Sequence, residues 1–223
     1  MISKYLKTKN LISKIKPIID ENELLVECRE AYYYLNSYDC KSSYYYYRGL
    51  FNNYDLEKLC VIGNKLPKIK GELSSKNSLD LTYRESTISW VPINDQTEWI
   101  YKKIIDCVNT VNNSYFNYDL TKIEKLQFTR YYGNNNSFYS PHVDSNFGHF
   151  SENRKLTFVL QLSDPTEYEG GELRLHTGKT PEVIPKERGL AVFFPSSTLH
   201  ECTPVTNGKR CTLVGWVYGP NFR

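Results

Sequence analysis

The alternation of hydrophobic and polar residues changes along the chain, and after about residue 122 it follows a period of two. Short runs with this period are separated by turn-forming pairs such as Gly170-Gly171 and Asn207-Gly208. This pattern predicts eight short β-strands, and such a series favours an antiparallel sandwich or jelly roll. The predicted strands cover residues 124–132, 138–145, 155–163, 171–176, 181–185, 190–195, 199–205 and 209–218.

Two of these predicted strands have one apolar face and one more polar face. In KLQFTRYY, Leu126 and Phe128 alternate with more polar residues, and LTFVLQLS repeats the pattern from Leu156 onward. Successive side chains of a strand point to opposite faces, so each strand has an apolar packing face and a more polar face. The polar faces either contact solvent or line a wet pocket inside the roll. Their residues are Gln127, Thr129, Tyr131, Thr157, Val159, Gln161 and Ser163.

The first half of the chain has a different pattern, with apolar residues at helical spacing. Residues 20–35 and 54–66 are predicted helices, and the clearest helix covers residues 97–111. Between them, the Tyr-rich run SSYYYYRGLF is typical of a strand. We therefore expect helices that brace one sheet of a mainly β fold.

Composition and charge narrow the classes of protein that need to be considered. The chain has 223 residues, 40% of them hydrophobic and 24% charged, which suits a globular domain. The net charge of +3 is small and the charges are interspersed, so no nucleic-acid partner is expected. Six cysteines without a CxxC pair favour reduced thiols in a cytoplasmic protein. No apolar run is long enough to predict a membrane span, and the oligomeric state stays open.

Candidate metal chemistry begins at the stretch YSPHVDSNFGHF, which contains His142 and Asp144. Residues i and i+2 of a strand share a face, so these two side chains can bind one ion. The motif is common, and a third ligand must come from elsewhere in the chain. His149 in a polar loop and His176 at a strand end fit surface positions better. His200 follows a buried strand and a turn that can project its side chain inward.

The segment after His200 contains Asn207-Gly208, which predicts a hairpin. A two-residue loop would put His200 and Arg210 on opposite faces. A three-residue loop at 206–208, with Gly208 in the left-handed conformation of a type I turn plus G1 bulge, is the form predicted here. That register places His200, Arg210, Thr212 and Val214 on one face.

Two imidazoles, one carboxylate and a fixed cation on one side make a specific combination. Two histidines and one carboxylate favour non-haem Fe(II) with open coordination positions. The planar fork of Arg210 suits bidentate binding of a substrate or cosubstrate carboxylate better than a lysine would.

These residues resemble the Fe(II)/2-oxoglutarate dioxygenases, and most closely their prolyl 4-hydroxylase-like, PKHD-type branch. The matching text covers about residues 124–218, and YRESTISWV is similar to the family's entry segment. The matching stretches are LQFTRYYG, FYSPHVD, LTFVLQLSDPTEYEGGELRL, GLAVFFPSSTLHECTPV and GKRCTLVGW.

The resemblance implies a fold and a division of the chain. We expect a mainly β fold with flanking helices, in which a double-stranded β-helix (jelly-roll or cupin-like) is braced by N-terminal α-helices. Residues 1–45 would form a helical or extended lead-in without a family counterpart. Residues 46–223 would form the dioxygenase domain, with the β-helix core at about 122–218.

The resemblance also implies roles for individual residues. Fe(II) is expected on His142, Asp144 and His200, with Arg210 gripping the distal carboxylate of 2-oxoglutarate. Tyr131 is expected to help hold this cosubstrate, and ascorbate is a further expected reductant. Gln161 and Thr212 are additional cosubstrate candidates, Tyr139, Ser145 and Asn146 are candidates for the substrate rim, and Trp216 is expected in the core.

The implied activity is O₂-dependent hydroxylation of an unactivated C–H, with succinate and CO₂ as coproducts. The first expectation for the substrate is a prolyl residue of a protein or peptide. Hydroxylation of a free amino acid or other small molecule is an alternative, as is a non-catalytic jelly-roll metal-binding module. A zinc hydrolase would leave Arg210 unexplained. A nucleic-acid demethylase would need a second arginine at position 216, which is Trp216.

Overall fold

A computed structural model describes residues 43–71, 80–145 and 152–221. The predicted helix at 20–35 and the candidate rim residue Asn146 lie outside these ranges. The described helices are α1 (Asn53–Lys65) and α2 (Glu98–Val111), and α2 continues into a π-helical turn at Asn112–Phe116. The strands are β1 (Tyr45–Tyr47), β2 (Ile69–Lys70), β3 (Arg84–Glu85), β4 (Thr87–Trp90), β5 (Lys122–Ile123), β6 (Gln127–Tyr132), β7 (Phe138–His142), β8 (Glu152–Gln161), β9 (Tyr168–Gly170), β10 (Leu173–Leu175), β11 (Glu182–Val183), β12 (Ala191–Pro195), β13 (His200–Cys202) and β14 (Val205–Pro220).

The strands form two antiparallel sheets. The larger sheet has nine strands in the order β1-β12-β8-β14-β6-β4-β2, with β5 and β9 each pairing with β14. The smaller sheet has five strands in the order β11-β10-β13-β7-β3. Most neighbouring strands are distant in sequence, and the chain passes repeatedly between the two sheets, as in a jelly roll. The expected mainly β fold with a jelly-roll core and flanking helices is therefore confirmed.

Both described helices pack against the outer face of the larger sheet. The leucines and phenylalanines of β6 and β8 that alternate with polar residues point to this side, where they are fully buried. This packing confirms that helices brace one sheet and accounts for the apolar half of the period-two pattern. The shared hydrophobic cluster includes Leu56, Leu59, Ile100, Ile104, Val108, Phe128, Leu156, Phe158 and Leu160.

The polar faces of β6 and β8 point into the space between the two sheets. Gln127, Thr129, Thr157 and Gln161 are each less than 5% exposed. Of the two alternatives, solvent contact is therefore wrong and the interior position is correct. A second hydrophobic cluster fills one part of the interior, with Val159, Leu173, Leu175, Ile184, Leu190, Val192 and Phe194.

The predicted hairpin between the segments carrying His200 and Arg210 is wrong. Strand β13 pairs with β10 on one edge and β7 on the other, so neither edge is left for the residues after it. The chain instead continues as β14, whose first part pairs with β9 through an irregularity between Val205 and Asn207. Gly208 does take a positive φ of 71°, but within a strand that passes from one sheet to the other. His200 and Arg210 therefore lie on different sheets.

Neither described helix has the length and apolar character that a bilayer crossing requires. The cysteines among the described residues, Cys60, Cys107, Cys202 and Cys211, are all free thiols.

Candidate metal and cosubstrate site

A cavity of about 280 Å³ lies between the inner faces of the two sheets. One wall consists of side chains from β4, β6, β8 and β14, and the other of side chains from β3, β7, β10 and β13. The sequence-predicted residues that line it are Tyr131, Tyr139, His142, Asp144, His200, Arg210 and Thr212.

Two histidines face each other across neighbouring strands of the smaller sheet. His142 ends β7 and His200 begins β13, and the two residues are direct partners in the antiparallel register. The Nδ1 atom of His142 lies 2.8 Å from the Ser140 carbonyl oxygen, and that of His200 lies 2.9 Å from the Thr198 carbonyl oxygen. Because a carbonyl only accepts, Nδ1 carries the proton in both rings. In its neutral form, each ring then keeps a free lone pair on Nε2, which is how imidazole binds a metal.

Asp144 completes a group of three possible ligands. Its Oδ1 atom lies 3.7 Å from His142 Nε2, and its Oδ2 atom lies 3.5 Å from His200 Nε2. Within the part of the chain that the structure describes, this is the group whose donor atoms fit one ion, and all these atoms lie within 4.8 Å of one another. Two backbone N–H groups, of Asp144 and Ser145, donate to the Ser196 carbonyl at 2.9 Å and fix this turn.

The protonation states of this group suit a cation. Burial and the neighbouring His200 lower the pKa of His142 to about 3, so its ring is neutral. Burial alone raises the pKa of the Asp144 carboxyl, but His200 and His142 lower it on balance. The Trp216 indole N–H has no hydrogen-bond partner among the described residues, yet it is close enough to Asp144 to lower the same pKa further. The site therefore offers a neutral imidazole on His142 and a carboxylate on Asp144, beside the Nε2 atom of His200.

Arg210 is the buried cation on the opposite wall. It is 2% exposed, and its Nη2 donates to Gln161 Oε1 at 3.1 Å while Nη1 donates to Cys202 Sγ at 3.3 Å. Its Nε has no partner, and within the described residues no carboxylate forms an ion pair with it. Burial alone lowers the pKa of Arg210, but Cys202 and Tyr131 raise it on balance, so the guanidinium stays charged. A buried charge without an anion is costly, which makes this an attractive position for a ligand carboxylate.

The other predicted cosubstrate residues surround Arg210. Tyr131 on β6 is its direct partner in the antiparallel register, and the guanidinium lies 5.5 Å from the centre of the Tyr131 ring. Thr212 follows two residues later on the same face of β14, opposite Gln161 on β8. The Gln161 side-chain oxygen accepts the hydrogen bond from Arg210, so its amide NH₂ group stays available to donate to another group.

The predicted substrate-rim residues have different surroundings. The Tyr139 ring is stacked on the His142 ring with a centroid distance of 3.5 Å, so it holds that imidazole in place. Ser145 donates its hydroxyl to the Arg154 carbonyl at 3.1 Å and does not line the cavity. Trp216 is buried, as expected for a core residue, but it also lines the cavity.

Several residues at the site were missed by sequence reasoning. Arg84, Trp90 and Arg154 line the cavity. Arg154 lies 4.1 Å above the Trp216 ring and forms a two-pronged ion pair with Glu124. The period-two alternation of β14 puts Trp216 on the same face as Arg210, and this could have identified it as a cavity residue rather than a core residue alone. Arg84, Trp90 and Arg154 come from other strands, and the sequence pattern does not show that these strands meet at the cavity. Tyr168 was also missed; its buried hydroxyl has no described hydrogen-bond partner and lies beside Arg210.

Comparisons of the sequence with known proteins point to one family. Residues 126–218 match the model of the 2OG-Fe(II) oxygenase superfamily. A PKHD-type hydroxylase of Prochlorococcus marinus is 39% identical over 103 residues, which are 45% of this chain and 45% of that relative. A PKHD-type hydroxylase of Hyphomonas neptunium is 45% identical over 62 residues, 28% of each chain. These matches thus span less than half the length of either relative.

Solved structures show the same fold over more of the chain. A prolyl-4-hydroxylase of Pseudomonas putida aligns with a TM-score of 0.63 and 18% identity, over 81% of this chain and 95% of that one. A prolyl hydroxylase of Trichoplax adhaerens, solved with a hypoxia inducible factor peptide fragment, aligns with a TM-score of 0.66 and 17% identity, over 90% and 94%. The family match spans every predicted metal and cosubstrate residue, and over residues 126–218 the chain is similar to the 2OG-Fe(II) oxygenase superfamily.

Proposed function

We propose that this protein is an Fe(II)- and 2-oxoglutarate-dependent dioxygenase that hydroxylates an unactivated C–H of a prolyl residue in a protein or peptide. The observation that carries the proposal is the convergence of His142, Asp144 and His200 with the unpaired cation Arg210 on one cavity. Two histidines and one carboxylate suit Fe(II) and leave neighbouring positions for a chelating cosubstrate and O₂. A metal-binding module alone would not need a buried carboxylate clamp.

The two walls of the cavity have different roles: one binds the metal and the other binds the cosubstrate. His142, Asp144 and His200 hold the metal through His142 Nε2, His200 Nε2 and a carboxylate oxygen. Arg210 binds the distal carboxylate of 2-oxoglutarate, with Tyr131, Gln161 and Thr212 shaping the space around it. When bound, Fe(II) and 2-oxoglutarate supply the oxidising power for hydroxylation, with succinate and CO₂ as coproducts. The protein orients these groups and keeps bulk water away from a cavity lined by buried side chains.

The cavity mouth supports a peptide substrate over a small enclosed one. Ile69 and Trp90 line the cavity and are 48% and 38% exposed, so the wall continues onto the surface. An aromatic and aliphatic wall suits the apolar ring of proline, and an open mouth leaves room for the chain on either side of it. The curated relatives are PKHD-type hydroxylases, and one structural neighbour was solved with a peptide bound.

Turnover of proline-containing peptides tests the proposal. Incubation with Fe(II), 2-oxoglutarate and O₂ should form succinate and add one oxygen atom to a prolyl residue, measured by mass spectrometry. Asp144→Ala should abolish both products because one metal ligand is lost. Asp106→Ala, on the exposed face of α2, is the matched control and should keep wild-type turnover.

Two outcomes would favour the alternatives. Succinate formed with a free amino acid but with no peptide would indicate a small-molecule hydroxylase. Absence of succinate with every substrate, together with no visible charge-transfer band on anaerobic addition of Fe(II) and 2-oxoglutarate, would indicate a non-catalytic module.

A further inference from the structure

The Asp144 carboxylate has a second contact besides the two histidines. The Thr157 hydroxyl, on β8 of the larger sheet, donates to Asp144 Oδ2 at 2.9 Å. Thr157 is fully buried, and it belongs to the polar inner face that the period-two pattern of β8 produces. The hydrogen bond therefore joins a candidate metal ligand on one wall to a strand of the other wall.

The number of available hydroxyl protons determines which group donates in each of these hydrogen bonds. Thr157 Oγ1 also lies 2.9 Å from the Ser196 hydroxyl oxygen, and Ser196 is fully buried as well. A hydroxyl has one proton to donate, and an ionised carboxylate can only accept. Thr157 gives its proton to Asp144, so Ser196 must donate to Thr157. The result is a chain of two hydrogen bonds running from Ser196 through Thr157 to Asp144.

Ser196 also connects the backbones of all three candidate ligands. Its carbonyl accepts from the N–H groups of Asp144 and Ser145, two residues after His142. On its other side, a turn closed by Thr198 N donating to Pro195 O leads directly into His200, whose ring donates to the Thr198 carbonyl. Movement of Ser196 would therefore displace the metal ligands together.

We propose that Ser196 and Thr157 form a positioning relay that keeps Asp144 a one-oxygen metal ligand through Oδ1. The inference rests on the proposed function, because it assigns a role toward the same metal site. Occupation of Oδ2 by the Thr157 hydroxyl disfavours a two-oxygen binding mode. A one-oxygen carboxylate leaves three positions around the metal, which is what a chelating cosubstrate plus O₂ requires. Neither residue lines the cavity, so both act through Asp144.

Metal binding by the full-length protein tests the relay without relying on turnover. The variants are Thr157→Val, which replaces the hydroxyl by a methyl group of similar size, and Thr157→Ser, which keeps the hydroxyl. Ser196→Ala removes the first donor. Thr129→Val is the matched control, because Thr129 is also a buried threonine of the larger sheet, but its hydroxyl contacts Gln127 and no candidate ligand. The readouts are the Kd for Co(II), from competition with a chelator, and the visible Co(II) spectrum, which reports coordination number.

Thr157→Val should raise the Kd about 10- to 100-fold, the usual effect of losing a group that orients a metal ligand. Its Co(II) bands should change in intensity because the carboxylate is free to bind through both oxygens. Thr157→Ser should stay near wild type, Ser196→Ala should show a smaller rise, and Thr129→Val should change neither readout.

A folded Thr157→Val protein with wild-type Kd and spectrum would overturn the relay while leaving the proposed function intact. Should that variant not fold, Ser196→Ala decides by the same two measurements, and unchanged values would again overturn the relay. A wild-type protein that binds no Co(II) would overturn the proposed metal site, and the relay with it.

Discussion

Arg210 is the residue whose surroundings most directly predict a ligand. It is a buried guanidinium with neutral neighbours and a free Nε. Arg210→Met keeps an unbranched apolar stem in the pocket but removes the charge and the donors. A hydrogen-bonded charge contributes about 1.5–3 kcal/mol, so we expect the KM for 2-oxoglutarate to rise about 10- to 100-fold. The kcat at saturating 2-oxoglutarate should change much less.

Steady-state turnover at varied 2-oxoglutarate measures this effect. Lys209→Met is the matched control, because Lys209 is the preceding, exposed cation on the same strand. An unchanged KM in Arg210→Met, or an equal rise in both variants, would show that Arg210 does not bind the cosubstrate.

At the residue scale, candidate ligand-binding residues were easier to predict than the residues that hold them in position. His142, Asp144, His200 and Arg210 could be selected from residue types and spacing, because a metal and a carboxylate need particular side chains. Thr157, which contacts Asp144, carries no such signal, because a buried threonine on a strand is ordinary until its partner in the folded chain is known. A contact between segments that are distant in sequence leaves no signal in the local pattern of residues.

At the element scale, the docking of α1 on the larger sheet depends on one glycine. A Cβ atom at Gly63 would lie 2.2 Å from the Phe128 ring, and that ring is itself fully buried. Alanine favours a helix over glycine by about 1 kcal/mol, but overpacking a rigid core typically costs about 1–3 kcal/mol and a contact this short belongs at the upper end. Gly63→Ala should therefore lower the free energy of unfolding by about 1–2 kcal/mol.

Chemical denaturation of the two glycine variants checks this. Gly178→Ala is the matched control, since a Cβ there would meet no atom within 4 Å and its φ is not positive. It should leave the free energy of unfolding within about 0.5 kcal/mol of wild type. Equal stability of Gly63→Ala and wild type would mean that α1 does not pack closely on Phe128.

Strands were predictable as elements, whereas their partners were not. A period of two identifies a strand and its faces, and it correctly separated the helix-packing face of β6 and β8 from the interior face. It does not say which strand lies next to which. The Asn207-Gly208 signal therefore suggested a local hairpin, while β13 already had β7 and β10 on its two edges.

At the scale of the whole molecule, the site is shared between the two sheets. The histidine ligands belong to the smaller sheet and Asp144 lies just after its strand β7. The cosubstrate candidates belong to the larger sheet, and they are Arg210, Tyr131, Gln161 and Thr212. A cosubstrate that chelates the metal and reaches Arg210 would bridge the sheets, an arrangement that an unfolded chain cannot offer. Ligand binding should thus stabilise the folded state of the whole domain.

Thermal unfolding under anaerobic conditions measures this coupling. Ligands at about 100 times their Kd contribute about 2.7 kcal/mol, which for a domain of this size corresponds to a rise in Tm of about 5 to 10 °C. The rise in Tm with Fe(II) and 2-oxoglutarate together should exceed the sum of the rises produced by each alone, because each ligand completes the other's site. Asp144→Ala should lose the metal-dependent rise, and Arg210→Met should keep it but lose the increment from 2-oxoglutarate. A full shift in Asp144→Ala would place the metal elsewhere, and purely additive shifts in the wild-type protein would mean that the two ligands do not meet across the sheets.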